Sequence, residues 1–305
     1  MQVVYEDNHI IIVNKQSGEI VQGDKTGDRP LSDLVKDYIK EKYAKPGAVF
    51  LGVVHRLDRP VSGLVMFART SKALTRLNKM FAEGQVHKTY WAIVKNRPKA
   101  LEGTLENWLV RNEKQNKSYA YDKERPNAKK ALLKYRVIGQ TDNYTVLEVN
   151  LMTGRHHQIR CQLAAMGCPI KGDLKYGAPR SNPDGSISLM SRRVEFVHPV
   201  SKETIIVEAP LPNDPLWQAA STRYTNEESP EVVGDSGFGT HTAYCDSNRA
   251  TLFAACAKLG GKEGGRHRLG ENGHGHHSRT GMPGVPARLR HRGLSCFTST
   301  LGFAA

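Results

Sequence analysis

Glycine is distributed unevenly along the 305-residue chain, and this distribution separates two parts of different character. The last 80 residues hold 14 of the 28 glycines and show no sustained hydrophobic periodicity. Such a segment buries too little side-chain surface to offset the entropy lost when its backbone is ordered. Residues 1–225 instead alternate short apolar runs with turn signals. We therefore predict a folded domain over residues 1–225 and a disordered Gly/His-rich tail over residues 226–305.

The predicted tail contains a group of histidines, and histidine is a common metal ligand. Histidines that are close in sequence within a glycine-rich tract are more often simply solvated, so we predict no metal site. The histidines concerned are His267, His274, His276, His277 and His291.

The chain has five cysteines and no C-x-x-C pair, which favours reduced thiols over a disulfide framework or a zinc site.

The chain is basic, with 44 Lys and Arg against 30 Asp and Glu and a net charge of +14 at pH 7. Residues 1–225 hold 35 of the basic and 23 of the acidic residues, so the predicted folded part carries +12. Such an excess favours a polyanionic partner. Because no apolar run is long enough to span a membrane and no secretory leader is visible, we expect a cytoplasmic protein without membrane contact.

Apolar runs and helical spacing predict a mixed α/β domain in which strands outnumber helices. Leu74, Leu77 and Phe81 recur at helical spacing between Thr70, which suits an N-cap, and Gly84, which suits a helix C-terminus. A second helix is predicted over residues 157–166. Strands are predicted over residues 10–13, 52–54, 64–67, 89–94, 144–151, 187–197 and 204–208.

The segment HRLDRPVSGL, residues 55–64, places the carboxylate of Asp58 between Arg56 and Arg59 in a loop stiffened by proline. One interpretation is structural, with Asp58 forming a surface ion pair with Arg56 or Arg59. The other is functional: the arginines keep Asp58 ionised and attract a phosphate backbone, so that the carboxylate acts on a nucleotide as nucleophile or base. Spacing alone does not decide between the two.

HRLDRPVSGL resembles the H-R-L-D-x-x-T-S-G-L motif of the RluA-type pseudouridine synthases. The segment HKTYWA, residues 87–92, is similar to the K-x-Y strand of that family, and LMTGRHHQIR, residues 151–160, is similar to its L-x-T-G-R-x-H-Q-I-R segment. Together with weaker matches the resemblance covers about residues 3–212. It implies an α+β (mixed α/β) catalytic fold with a central, mainly antiparallel, curved sheet flanked by helices.

The resemblance also implies the roles of the site residues in an RNA uridine isomerase. Asp58 corresponds to the essential carboxylate, Tyr90 to the tyrosine beside the target base, and Arg160 to the arginine that pairs with the aspartate. Arg56 corresponds to the arginine that enters the RNA where the uridine has been flipped out, a step that costs a few kcal/mol of stacking. Further RNA contacts are expected from Arg59, Lys88 and Arg155.

The resemblance implies an RNA partner, either ribosomal or transfer RNA, and no small-molecule cofactor; we expect a monomer. Two alternatives stay open: a non-catalytic RNA-binding protein that keeps the fold, and a nucleosidase or glycoside hydrolase with Asp58 as nucleophile. Such hydrolysis normally needs a second carboxylate, and none accompanies Asp58 in its loop.

The sequence departs from the family pattern at Val61, which replaces the usual Thr, and at Cys161-Gln162, where a His commonly precedes the Leu. A charged stretch interleaved with tyrosines is either a further RNA surface or a merely solvated loop. Its members are Lys114, Lys117, Tyr119, Tyr121, Lys123, Arg125, Lys129 and Lys130.

Overall fold

The structure, a computed structural model, describes residues 1–219. Three α-helices lie wholly within this part of the chain, α1 (Leu31–Lys42), α2 (Ser71–Ala82) and α3 (Gln158–Ala165), and residues 215–219 are also helical. None of the three has the length and apolar character that crossing a bilayer requires. The predicted boundary near residue 225 and the predicted tail, with its histidines, lie outside the described residues and stay predictions.

The strands form a single sheet within residues 1–219, and its pairing is almost entirely antiparallel. The sheet order is β1-β2-β4-β10-β5-β9-β8-β6-β7, with β3 paired to β4 and β11 paired to β10. Among the strand pairs of residues 1–219, only β4 and β10 run parallel. The prediction of a mainly antiparallel sheet with few helices is therefore confirmed. The strands are β1 (Gln2–Glu6), β2 (Ile10–Lys15), β3 (Gly52–Val53), β4 (Ser62–Ala68), β5 (Val86–Val94), β6 (Glu102–Asn112), β7 (Lys117–Tyr121), β8 (Lys129–Gln140), β9 (Thr145–Leu151), β10 (Leu189–Val197) and β11 (Thr204–Glu208).

The centre of the sheet is buried on both faces, which explains why its strands read as continuous apolar runs. Successive side chains of a strand point to opposite faces, so Ile11 of β2 packs into one core and Ile12 into the other. Helix α1 covers the first core with Val35, and helix α2 covers the second with Leu77. This sandwich of helix, sheet and helix holds the loops at the strand ends in fixed positions.

The predicted elements are found close to where the sequence indicated them. Helix α2 has Thr70 as its N-cap, and the Thr70 hydroxyl accepts a hydrogen bond from the Ala73 N–H over 3.1 Å. Helix α3 starts one residue later than predicted, because His157 has φ +51° and is its N-cap. Helix α1 and the strands β6 to β8 were not located from the sequence.

Candidate active site

A cavity of about 910 Å³ lies where the β3–β4 loop meets β5 and the start of α3. The loop supplies Asp58, strand β5 supplies Tyr90, and α3 supplies Arg160. These elements are far apart in sequence and are brought together by the sheet order. Of the residues expected at the site, the cavity is lined by Arg56, Asp58, Lys88, Tyr90, Arg155 and Arg160.

Asp58 pairs with Arg160 across 102 residues of sequence, as the resemblance implies. Arg160 Nη1 donates to Asp58 Oδ2 over 3.0 Å, and the Arg160 side chain is only 6% exposed against 32% for Asp58. Behind it, Asp173 accepts from Arg160 Nε over 2.7 Å and from Nη2 over 2.9 Å, and it is 1% exposed. This bidentate pair fixes the guanidinium plane, so Arg160 presents its remaining nitrogen to Asp58 in one orientation.

His157 also reaches the Asp58 carboxylate, with its Nε2 3.4 Å from Oδ2. The two contacts of Asp58 therefore converge on one oxygen, and within residues 1–219 no hydrogen bond or ion pair involves Oδ1. The other nitrogen of His157, Nδ1, lies 3.0 Å from the hydroxyl of Tyr176. One oxygen of the candidate catalytic carboxylate is thus held by protein and the other is available to a ligand.

The loop that carries Asp58 is fastened from behind by a buried lysine, Lys15. Its ammonium donates to the carbonyl oxygens of Val61 over 2.6 Å, Gln16 over 3.0 Å and Arg59 over 3.1 Å. The residue is 0% exposed, and desolvation lowers the pKa of Lys15 to about 8. Because the three carbonyls compensate the buried charge only partly, Lys15 serves the loop geometry at a cost.

Gly63 allows β4 to approach β10 closely enough to form their parallel pair. It has φ +107°, and a Cβ atom there would lie 2.3 Å from the carbonyl oxygen of Ser191. Any side chain at this position would force the two strands apart. The glycine that ends the predicted loop therefore sets the position of Asp58 relative to β10.

Tyr90 lies in β5, where its backbone pairs with Ser191 of β10 on one side and Val149 of β9 on the other. It is 6% exposed, and burial raises the pKa of Tyr90 to about 12. The phenol is therefore neutral at physiological pH. A neutral aromatic side chain at the cavity wall can contact a base through its ring and through its hydroxyl group.

Three of the cations that line the cavity, Arg56, Lys88 and Arg155, have no carboxylate partner within residues 1–219. Lys88 is half-buried, burial lowers its pKa, and its ammonium lies 5.2 Å from the centre of the Phe81 ring. Arg155 donates through Nε to the carbonyl oxygen of Lys130 over 2.9 Å, and Arg56 is exposed. None of Arg56, Lys88 and Arg155 forms an ion pair with a carboxylate of residues 1–219.

Arg59 does not line the cavity, and neither flanking arginine pairs with Asp58. Arg59 Nη1 lies 2.6 Å from Asp28, and Arg59 Nη2 donates to the hydroxyl of Thr26 over 2.8 Å. The interpretation of Asp58 as a surface ion-pair partner of Arg56 or Arg59 is therefore wrong, because the ion pairs of Asp58 within residues 1–219 are with Arg160 and His157. The physical reason is that the acidic loop containing Asp28 takes up the Arg59 guanidinium, while Arg160 reaches Asp58 from α3.

The charged stretch noted in the sequence covers the turn between β6 and β7, strand β7 and the start of β8. Lys117 lies 5.2 Å from the centre of the Tyr176 ring, and the Arg125 guanidinium lies 4.0 Å from that of Tyr121. Lys130 forms an ion pair with Glu106 over 2.8 Å. Through Lys117, part of this cationic surface therefore lies next to Tyr176, the residue that contacts His157.

Sequence reasoning missed Asp173, His157 and Lys15 as site residues. Asp173 and His157 belong to segments that were recognised as similar to the family, but neither was connected to Asp58. A fully buried Asp is almost always paired, but nothing in the segment PIKGD at 169–173 marks Asp173 as buried before the structure is known. Within residues 1–219 no cluster of three or more His, Cys, Asp or Glu side chains is arranged to hold a metal ion.

Comparison with known proteins gives a consistent set of similarities. Residues 9–165 match the family described as RNA pseudouridylate synthase. A Chlorobaculum parvum protein named as an uncharacterized RNA pseudouridine synthase is 34% identical over 237 residues, covering 70% of this chain and 71% of the relative. The ribosomal large subunit pseudouridine synthase C of Vibrio cholerae is 33% identical over 216 residues, covering 68% of this chain and 65% of the relative.

The solved structure of human RNA pseudouridylate synthase domain containing 4 has the same fold. Its TM-score is 0.61 at 22% identity, and the match covers 73% of this chain and 93% of the human one. In the curated relatives the matched region spans about two thirds of the protein, 66% and 65% in two bacterial examples.

Proposed function

The chain is an RluA-type member of the RNA pseudouridylate synthase family, and from this premise we propose that it isomerises specific uridines in structured RNA to pseudouridine. Asp58 is the catalytic carboxylate in this proposal. The observation that carries it is the geometry of Asp58: it lies in a cavity, Arg160 holds one carboxylate oxygen, and the other oxygen has no protein partner within residues 1–219.

The reaction we propose needs no oxidant, reductant or activated group. The bond between N1 of the base and C1′ of the sugar breaks, and the detached base turns over. A bond between C5 and C1′ then forms, and the proton lost from C5 is balanced by a proton gained at N1. Asp58 either attacks the nucleotide or removes a proton from it to start this sequence. Tyr90 contacts the base while it is detached.

The charges around Asp58 suit this role. Arg160 is shared between Asp58 and Asp173, so the three groups together carry one net negative charge. A carboxylate with an unshared arginine would be more fully neutralised and a weaker base or nucleophile. The buried pair of Arg160 and Asp173 therefore holds Asp58 in place while leaving its negative charge effective.

The proposed RNA contacts come from the cations at the opening of the cavity. Arg56, Lys88 and Arg155 line it, and positive side chains there can bind the phosphates beside a flipped nucleotide. Arg59 is proposed to contact RNA from outside the cavity. Because the Vibrio cholerae relative is named for the ribosomal large subunit, ribosomal RNA is the first substrate to test, with transfer RNA second. We further propose that the protein acts as a cytoplasmic monomer.

Pseudouridine mapping of total RNA tests the activity and identifies the substrate. RNA from cells with the native gene, with a deletion, and with Asp58→Asn is labelled chemically at pseudouridine and sequenced. We expect one or a few positions to lose the label in both the deletion and the Asp58→Asn cells, with turnover in vitro reduced by more than about 10³-fold.

Two results would contradict the proposal. Full retention of every pseudouridine in the deletion strain, together with RNA binding in vitro, would favour a non-catalytic RNA-binding protein. Release of free uracil from RNA would favour hydrolysis, because an isomerase retains the base. RNA affinity of the Asp58→Asn protein serves as the control, and we expect it to stay within about threefold of the native value because phosphate contacts dominate affinity.

A further inference from the structure

His157 is the second protein group that reaches the Asp58 carboxylate, and the reaction proposed above gives it no role. Its Nε2 lies 3.4 Å from Oδ2, the same oxygen that accepts a hydrogen bond from Arg160. This is slightly longer than an ordinary N–H···O hydrogen bond, and such contacts often shorten once substrate is bound. What His157 can do depends on which of its ring nitrogens carries the hydrogen.

The partners of the two ring nitrogens indicate that position. The backbone N–H of Ser118 donates to the Tyr176 hydroxyl over 2.8 Å, so the oxygen is an acceptor on this side. The hydroxyl hydrogen remains to be donated, and His157 Nδ1 lies 3.0 Å away. A neutral imidazole has one acceptor nitrogen and one donor nitrogen. With the hydrogen on Nε2, Tyr176 donates to Nδ1 and Nε2 faces the Asp58 carboxylate as a donor, whereas the other tautomer would set the lone pair of Nε2 against that carboxylate.

The surroundings also keep the ring neutral and fixed. The side chain of His157 is 6% exposed, and burial lowers the pKa of His157 to about 3. The Asp58 charge raises this pKa and the Arg160 charge lowers it, so the two nearby charges oppose each other. The ring stacks on that of His156 with centroids 3.8 Å apart. It also meets the Tyr176 ring edge-on at 5.7 Å. The imidazole therefore has little freedom to turn away from Asp58.

We infer that His157 is a positioning residue for Asp58: as the neutral Nε2–H tautomer it donates to Oδ2 together with Arg160, and it thereby directs Oδ1 to the substrate. This inference rests on the proposed function. A neutral donor suits the site because it orients the carboxylate without cancelling the single net negative charge of the group formed by Asp58, Arg160 and Asp173. A cation at this position would remove that charge.

Nitrogen chemical shifts of the imidazole rings test the tautomer directly in the full chain. The ¹⁵N-labelled protein contains twelve histidines, and the signals lost in His157→Gln identify those of His157. We expect Nε2 to have the shift of a protonated nitrogen and Nδ1 that of an unprotonated one at pH 7. Reversed shifts, or two protonated nitrogens, would overturn the inference. Since this readout needs no turnover, it remains decisive even if the protein is not an isomerase.

Kinetics of three variants test the positioning role. His157→Leu removes the donor, and we expect kcat to fall about tenfold or more with KM little changed, because a hydrogen bond to a charged group is lost. His157→Gln keeps an N–H donor and should recover most of that loss. Tyr176→Phe removes the hydrogen-bond partner of His157 Nδ1, so the kcat of this variant should lie between those of His157→Leu and His157→Gln.

The control is His9→Leu, the same exchange at a histidine that does not line the cavity, and its kcat should equal that of the native protein. Native kcat in a folded His157→Leu protein would overturn the inference. So would a folded His157→Gln protein that is no faster than His157→Leu. If His157→Leu fails to fold, the Gln variant and the nitrogen shifts still decide the question.

Discussion

The two sides of the candidate active-site cavity both contain cations, but the partners of these cations differ. On the inner side, Arg160 is 6% exposed and shares its guanidinium between Asp58 and Asp173. At the opening, Lys88 and Arg155 form no ion pair with a carboxylate of residues 1–219. The inner cation is therefore balanced by protein groups, whereas Lys88 and Arg155 have no such carboxylate among residues 1–219 and are free to pair with an anion.

This difference separates geometry from affinity. A buried group whose hydrogen bonds are all made has one orientation. A catalytic carboxylate that contacts such a group is itself held in a fixed position. A cation without a carboxylate partner gains little in orientation but attracts phosphates over a distance. Substitutions on the inner side should therefore affect folding and turnover, and substitutions at the opening should affect RNA affinity and its salt dependence.

Asp173→Asn should have the largest effect on stability, because it leaves the buried Arg160 with half of its carboxylate partners. Removing one member of a buried ion pair typically costs about 3–5 kcal/mol. We expect a loss of this size in the free energy of unfolding, measured by urea denaturation, and a loss of turnover with it. The matched control is Glu106→Gln, which breaks the half-exposed pair with Lys130 and should cost well under 1 kcal/mol. Equal losses in the two variants would remove the distinction between the two sides.

Acid should destabilise the inner side through two histidines. Burial lowers the pKa of both His55 and His157 to about 3, below the ordinary value of about 6.5. Between these values the unfolded chain binds protons that the folded chain does not, so stability falls as pH decreases from about 6.5 towards 3. Each histidine contributes about 1.4 kcal/mol per pH unit in this window.

Urea denaturation between pH 6.5 and 5 measures this slope. His157→Gln removes one of the two titrating groups and should reduce the slope by about 1.4 kcal/mol per pH unit. The contribution of His55 remains, because its Nε2 accepts a hydrogen bond from the Met66 N–H over 3.0 Å and protonation would break it. A slope unchanged by His157→Gln would mean that His157 is not held neutral.

Lys88→Gln should leave stability nearly unchanged and weaken RNA binding instead. Each phosphate contact contributes about 0.9 to the slope of log affinity against log salt concentration, so the slope should become shallower by about 1. Binding is measured in the Asp58→Asn background, so that the RNA is not turned over, with a structured ribosomal RNA fragment. The control is Lys36→Gln in α1, whose ammonium pairs with Asp33 outside the cavity. A slope that changes equally in both variants would contradict a phosphate contact at Lys88.

Much of the fold could be predicted because the central strands are buried on both faces. Such strands are apolar throughout, and β2 and β4 are legible in the sequence for this reason. Strands β6 and β7 consist mostly of exposed and half-buried residues, and β8 interleaves exposed with buried ones, so none of the three reads as a continuous apolar run. Helix α1 was missed even though Leu31, Val35 and Ile39 recur at a spacing of four residues, which is a helical signal.

The site divides in the same manner. Asp58, Tyr90 and Arg160 were named because each belongs to a sequence motif that resembles the family. Asp173 and His157 were not connected to Asp58, because the contacts depend on how the sheet order brings α3 to the β3–β4 loop. The resemblance supplied the pairing of Asp58 with Arg160, whereas the contacts of Asp173 and His157 follow from the fold and from no local motif.

Arg59→Gln should have the smallest effect on RNA binding. It tests whether a cation of the HRLDRPVSGL motif that lies outside the cavity also contacts RNA. Arg59 lies next to Asp58 in sequence, yet its guanidinium is already paired with Asp28 at 2.6 Å outside the cavity. Arg59 must leave its carboxylate partner before it can neutralise a phosphate, so it contributes less to the release of counterions from the RNA. Its removal should therefore change the salt slope by clearly less than the value of about 1 expected for Lys88. The same filter-binding titration measures both, with Asp28→Asn as the companion variant, since freeing Arg59 should steepen the slope. If Arg59→Gln instead matches Lys88→Gln, the pair with Asp28 is broken in the complex, and the RNA-binding side extends beyond the cavity to the loop around Asp28.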